Sequence, residues 1–245
     1  MNIVSLISRE WSYEITSKLI DYYKSKTNSF LLVTKNIQIK KGKNKLIKIN
    51  KKFTTKHIKI IKSFSPDLIL AYGWSDYISK EIRKIAPCLI LHPSKLPKYR
   101  GGSPIQNQIL DGKIKSAVSI IYAEENLNLD SGNILFQEDI SFDGYLNEIL
   151  NRIIKKGIKG SKKIIKLKKL NKLKSVPQNH RLATFYKRRK PIQSKISLQD
   201  FKKFNARHFY NLVRGLQEPY PLVYIECKNK TKLYLERVLL DKKNE

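Results

Sequence analysis

Two short runs, Asp67 to Tyr72 and Cys88 to Leu91, are almost wholly apolar, and each follows a proline, Pro66 or Pro87. Runs this brief and this uniform read as strands buried on both faces, the kind found in parallel sheets covered by helices. Between them, Ile78, Ile82 and Ile85 fall at helical spacing. The same alternation holds upstream. Ile3 to Ile7 reads as a strand, and Trp11, Ile15, Leu19 and Tyr22 mark one face of a helix. Ser29 to Thr34 and Leu46 to Ile49 read as strands on either side of a lysine-rich excursion from Lys35 to Lys45. Ile58, Ile61 and Phe64 then mark a helix that stops at Ser65-Pro66. This rhythm predicts an α/β, doubly wound sheet.

The second half changes character. Ile105 to Leu110 reads as a short helix ended by the turn Asp111-Gly112, and Ser116 to Ala123 and Ile134 to Ile140 read as strands. From Leu146 to Ile165 the apolar residues keep helical spacing, with lysines on the opposite face. Beyond Pro177 a smaller unit is expected, with a helix around Phe209, Leu212 and Val213 and a hairpin from Leu222 to Leu239 turning near Asn229.

Of the 245 residues, 41% are hydrophobic, enough for a real core, so wholesale disorder is excluded. No apolar run approaches the roughly 18 residues of a membrane span. The start, MNIVSLISREW, lacks a basic region before its apolar stretch and reads as a strand, not a secretion signal. Two cysteines, Cys88 and Cys227, make neither a disulfide framework nor a zinc site. A cytoplasmic location with no membrane attachment is expected. The net charge of +30 suits a polyanion partner. Lysine outnumbers arginine four to one, however, and the lysines are spread over ordinary helix surfaces, where they need no partner.

In a parallel sheet, ligands gather at the carboxyl ends of the strands. Three segments are expected at that edge: Ala71 to Asp76, His92 to Pro104, and Asn126 to Gly132. His92 opens a loop studded with Pro and Gly at the mouth of an apolar strand. Taken alone it serves structure as readily as chemistry. Asp130 alone, before Ser131-Gly132, is an ordinary turn residue. Together they form an acid/base unit, because a carboxylate facing an imidazole orients it and favours its charged form. No Ser or Cys has nucleophile-elbow spacing. No glycine-rich fingerprint follows the first strand, where Ser8-Arg9-Glu10 stands, which speaks against a dinucleotide cofactor.

The segments HPSKLPKYRGGSP from His92, LDSG ending at Gly132, YKRRKP from Tyr186 and NLVRGLQEPYP from Asn211 resemble the 10-formyltetrahydrofolate-dependent formyltransferases. That family includes methionyl-tRNA formyltransferase, glycinamide ribonucleotide formyltransferase and sugar-nucleotide N-formyltransferases. The resemblance runs from the first strand to about Val223, and the tail motif is closer to the methionyl-tRNA and sugar branches. It implies a Rossmann-like, mostly parallel twisted sheet flanked by helices, with a catalytic domain over 1–178. A small C-terminal helix plus β-hairpin, whose edge is a candidate dimer contact, takes 179–245. It also implies 10-formyltetrahydrofolate as formyl donor, without a metal. His92 would stabilise the tetrahedral oxyanion and protonate the departing folate nitrogen, and Asp130 would hold His92 protonated. The pterin would lie against Asp76, Tyr77 and Ile78 and against Asn126, Leu127, Asn128, Leu129 and Asp130, with Ser94, Leu96 and Pro97 bordering the pocket.

One departure stands out. The family pattern is Asn-x-His, and Ile90 occupies the Asn position. An oxyanion donor is worth about 10²–10³ in turnover, so either activity is reduced or lost, leaving a basic binding protein, or another donor replaces it. Asn107 is the expected replacement, with Gln106 or Ser103 behind it. Methionyl-tRNA formyltransferases carry a further C-terminal β-barrel, and only 24 residues follow Pro221. A small amine is therefore the expected acceptor, a nucleotide-linked amino sugar whose diphosphate meets Lys98, Arg100 and Arg188. tRNA is the alternative, and the charge favours it.

Overall fold

The computed structural model describes residues 1–24, 29–35, 37, 39, 45–50, 52–123 and 129–241. Seven strands form the central sheet: β1 (Asn2–Ile7), β2 (Ser29–Thr34), β3 (Lys45–Lys48), β4 (Leu68–Tyr72), β5 (Cys88–His92), β7 (Lys115–Tyr122) and β8 (Ile134–Ser141). Their spatial order is β3-β2-β1-β4-β5-β7-β8. The five strands from β3 to β5 are parallel, β7 runs antiparallel to β5, and β8, antiparallel to β7, runs in the direction of the five again. The mostly parallel α/β fold expected from the sequence is what the chain adopts.

Every residue of β4 is buried, as an all-apolar strand between two helical layers requires. Alternate side chains divide between the two faces. Leu68, Leu70, Leu89 and Leu91 pack into the larger core with α1 (Glu10–Tyr23) and α5 (Leu146–Lys169). Ile69, Ala71 and Cys88 pack on the other side with α2 (Thr55–Ser63) and α3 (Lys80–Arg83). Period-two alternation places Ile90 and His92 on the Cys88 face of β5. Burial pushes the Cys88 thiol up to about 12, so it stays a neutral core residue.

Three elements depart from expectation. The helix expected from Ile78 to Ile85 is a single turn, Lys80–Arg83, because Pro87 disfavours helical backbone before it. The terminal hairpin is shorter than Leu222 to Leu239, with β11 (Val223–Glu226) against β12 (Lys232–Leu235). A short strand, β10 (Lys195–Ile196), extends it in parallel, ahead of the small helix α6 (Leu198–Lys203) and of α7 (Ala206–Gly215).

The third departure builds the site. Arg100–Gly101 (β6) pairs in parallel with Phe185–Tyr186 (β9), so a strand from beyond residue 178 is stitched onto the His92 loop. The two chains run close enough that an added Cβ on Gly101 would sit 2.4 Å from the Tyr186 carbonyl oxygen, and one on Gly102 2.4 Å from Arg188 Cα. Gly101 also has φ +98, which other residues rarely adopt. The helix α4 (Pro104–Leu110) starts directly after this ribbon.

Among the described residues, no helix is long and apolar enough to cross a membrane, and no group of three His, Cys, Asp or Glu is placed to hold a metal.

Candidate active site

β5 delivers His92 to the carboxyl edge of the sheet with its side chain 6% exposed. Its Nδ1 lies 3.4 Å from Asp130 Oδ2. Its Nε2 lies 2.8 Å from the carbonyl oxygen of Tyr99. Both ring nitrogens thus face oxygen atoms of the protein. The same Asp130 oxygen accepts the Gly101 N–H at 2.8 Å. One loop therefore supplies an anchor to each partner, Tyr99 for the imidazole and Gly101 for the carboxylate.

Asp130 reaches this place by a route that alternation alone does not give. β7 is antiparallel to β5, with His92 opposite Ser119 and Leu89 opposite Tyr122. Its end therefore lies at the far edge of the sheet, not at the carboxyl edge of the parallel strands where the sequence places it. Residues 130–133 thus run from His92 back to that far edge, where the Asn133 carbonyl accepts the Tyr122 N–H at 3.1 Å. Asp130 has φ 57, a left-handed conformation that Asp tolerates better than most residues. Gln178 fixes the returning chain, its Nε2 donating to the carbonyls of Asp130 (2.9 Å) and Gly132 (2.7 Å).

Arg100, expected to meet a substrate diphosphate, is instead 1% exposed. Its Nε and Nη2 donate to Gln178 Oε1 at 3.2 and 2.6 Å, and Nη2 also lies 3.1 Å from His180 Nδ1. It links β6 to the Gln178 segment beneath the site and offers no face to solvent. Lys98 and Arg188 are exposed. Arg188 Nη2 donates to the Ser75 carbonyl at 2.8 Å, bringing it beside the loop after β4.

Asn107, expected to replace the missing oxyanion donor, gives its Nδ2 to the Gly102 carbonyl at 2.9 Å. That bond ties α4 to the glycine doublet and leaves the amide turned to the loop. Ser103 accepts the Arg189 N–H at 3.1 Å. Gln106 is 3% exposed, and its Nε2 has no hydrogen-bond partner among the described residues.

The residues assigned to the pterin are only partly gathered. Ser94 is fully buried, its Oγ donating to the Lys98 carbonyl at 2.7 Å, and its own carbonyl accepts from Ser119 Oγ at 2.6 Å. Leu96 is buried, its carbonyl held by Gln137 Nε2 at 3.1 Å, and Pro97 follows through a cis peptide. Asp76 is exposed and ion-paired with Lys35, Tyr77 is 72% exposed with its phenol accepting from Arg83, and Ile78 belongs to the smaller core face. Leu129 is exposed next to Asp130. Asn126, Leu127 and Asn128 lie outside the described residues.

Sequence reasoning missed Tyr99, Gly101, Asp111 and Gln178. Tyr99 takes φ 59, unusual for a bulky residue, and is held there by its side chain. Its ring stacks on Tyr186 at 4.7 Å, and both phenols donate to Asp111 Oδ2, at 2.9 and 2.7 Å. Burial raises the Tyr99 phenol first, with Asp111 adding to it. The Asp111 hydrogen bond is the main cause of the upward shift at Tyr186. Both rings stay protonated and clamp the ribbon that carries the two anchors. Asp111→Ala leaves both phenols without an acceptor, at a cost of about 1–3 kcal/mol. It is expected to lower Tm by several degrees and kcat by about tenfold, with Asp111→Asn recovering part of both. Thermal melts beside single-turnover rates check this; an Asp111→Ala variant with full turnover would show that the clamp does not position the site.

An imidazole seated against a carboxylate at the carboxyl edge of the sheet is an arrangement suited to acid/base chemistry. Residues 15–162 match the formyl transferase family. The match covers more than half of the chain, which belongs to that family of formyl-transferring enzymes. The chain is 35% identical over 147 residues to a methionyl-tRNA formyltransferase of Helicobacter acinonychis, covering 59% of this chain and 47% of that protein. It spans about half the length of the curated relatives it matches. A solved methionyl-tRNA formyltransferase from Clostridium thermocellum aligns over all of this chain and 95% of that one, at TM-score 0.76 and 28% identity. A solved 4-N formyltransferase from Francisella tularensis aligns over 98% of both chains, also at TM-score 0.76, with 16% identity, a likeness of fold.

Proposed function

We propose that the protein transfers the formyl group of 10-formyltetrahydrofolate to a primary amine through His92 and Asp130. The observation that carries this reading is the 3.4 Å approach of His92 Nδ1 to Asp130 Oδ2 at the sheet edge, in a chain of the formyl transferase family. The amine attacks the formyl carbon and a tetrahedral oxyanion forms. As the intermediate collapses, the imidazolium gives its proton to the departing folate nitrogen, while the Asp130 carboxylate balances the charge on the ring and takes up the amine's proton through water. The folate would border Ser94 to Pro97 and the exposed Leu129 beside Asp130. A solved relative of the fold, HypX from Aquifex aeolicus, was determined in complex with tetrahydrofolic acid, which supports a folate donor for this architecture.

For the acceptor we propose a nucleotide-linked amino sugar, with the exposed Lys98 and Arg188 beside its diphosphate. The 35% and 28% identities to methionyl-tRNA formyltransferases favour the second reading, formylation of an aminoacyl-tRNA, as does the net charge of +30. Incubation with 10-formyltetrahydrofolate and either a dTDP- or UDP-linked 4-amino sugar or methionyl-tRNA separates them. Formyl transfer to the sugar alone is expected. Transfer to tRNA alone overturns the acceptor, and loss of formyl to neither overturns the enzymatic reading.

Ile90 makes a further prediction. It is half-buried, two residues before His92 on the same face, where an Asn would face the formyl oxygen. Ile90→Asn is expected to raise kcat about tenfold or more, because the apolar side chain gives way to a donor. It costs about 1–3 kcal/mol in stability, from polar burial against the α3 core. Steady-state rates with a melt decide it; unchanged kcat means that another group already holds the oxyanion.

A further inference from the structure

We propose that a cleft between the turn before α5, α7 and the segment Arg237 to Leu240 binds an organic phosphate of nucleotide size, at a site separate from His92 and Asp130. The cavity measures about 810 Å³ and is lined by Arg207, Arg214 and Arg237 together with Tyr145, Tyr210 and Asp143. That volume falls within the usual range for small-molecule sites, about 300–1,000 Å³. None of its lining residues belongs to the His92 loop or to the segment carrying Asp130.

Arg214 is the reason to expect an anion. It is 3% exposed, yet its guanidinium is held by neutral acceptors: Nε by Asn211 Oδ1 at 2.8 Å, and Nη1 by the carbonyls of Phe142 and Gly144, each at 2.9 Å. Among the described residues, no carboxylate oxygen lies within ion-pair distance of it. Desolvation lowers its pKa, while Asp143, the carboxylate in the lining, acts on it only at longer range. A buried charge fixed by dipoles alone is costly, and an arriving anion would offset that cost.

The walls fit a phosphate joined to an apolar or planar group. Arg207 and Arg214 each lie 5.7 Å from the Tyr210 ring centre, and Arg237 lies 5.6 Å from that of Tyr145. The two rings meet edge to face at 6.3 Å, and the Tyr145 hydroxyl bonds the Val238 backbone, closing one side. Three guanidiniums held against aromatic faces line the cleft, Asp143 being its one carboxylate among the described lining residues, and their planar forks match phosphate oxygens. Ile114 and Leu239, 61% and 97% exposed, are apolar lining that such a ligand would cover.

The test is equilibrium binding of uridine 5′-monophosphate and of inorganic phosphate to the full chain. Saturable binding of the nucleotide, at least tenfold tighter than inorganic phosphate and weakening with salt, is expected. The double variant Arg207→Ala/Arg237→Ala should weaken it at least tenfold, and Lys98→Ala/Arg188→Ala should leave it within twofold. Arg237→Glu, at an exposed position, should weaken it in a protein that melts like the parent. Absence of saturable binding, equal affinity for both probes, or indifference to the arginine changes overturns the proposal. Loss of binding in Lys98→Ala/Arg188→Ala also overturns it, because the nucleotide would then occupy the acceptor site beside the catalytic centre. The proposal does not depend on which amine accepts the formyl group.

Discussion

Replacing His92 with alanine is expected to lower kcat for formyl transfer by about 10²–10⁴, the contribution of a positioned acid/base group. Both ring nitrogens are engaged, by Tyr99 O at 2.8 Å and Asp130 Oδ2 at 3.4 Å, so His92 reaches the folate nitrogen only when one of these contacts opens. The substitution leaves a buried carboxylate without its partner, so a stability loss of about 1–3 kcal/mol accompanies it. Rates are therefore compared well below the lowered Tm. Unchanged KM for the formyl donor beside the collapse in kcat assigns the loss to chemistry. Activity within tenfold of the parent would remove His92 from the mechanism.

Asp130→Asn is the sharper experiment, with an expected fall of about 10²–10⁴ in kcat. Asn is among the few residues that tolerate the left-handed backbone found here at φ 57, so the turn is preserved. The amide oxygen can still accept the Gly101 N–H, bonded at 2.8 Å in the parent. Only the charge opposite the imidazole is lost. Asp130→Ala, by contrast, would remove charge, hydrogen bond and shape together. An Asp130→Asn enzyme with near-parent turnover would make Asp130 a structural anchor of its loop.

The sequence announced the sheet because its central strands are apolar throughout and leave no other place for residues such as Leu68 to Tyr72 to go. It also paired His92 with Asp130, through the resemblance of the segments around them. The way they meet was not legible. Alternation in β7 reads the same whether the strand runs parallel or antiparallel to β5, so the reversal that ends β7 at the far edge of the sheet carries no local signal. Arg100 looked like a surface cation because arginine usually is one, and only the distant Gln178 and His180 show why it is buried. Asn107 suited an oxyanion by type and position, but the Gly102 carbonyl takes its amide. The Gly101-Gly102 doublet was the available clue to β6 and β9, since adjacent glycines often mark a place where two chains run too close for side chains.

Gln178 also sets an order of assembly. The strands from β1 to β7 can associate using contacts within the first 122 residues, but the carboxylate is secured against the imidazole only when the chain past α5 has docked. Turnover should accordingly appear after the sheet during refolding. A protease cut between α5 and β9 should leave a protein that keeps its strand signature in circular dichroism yet transfers nothing.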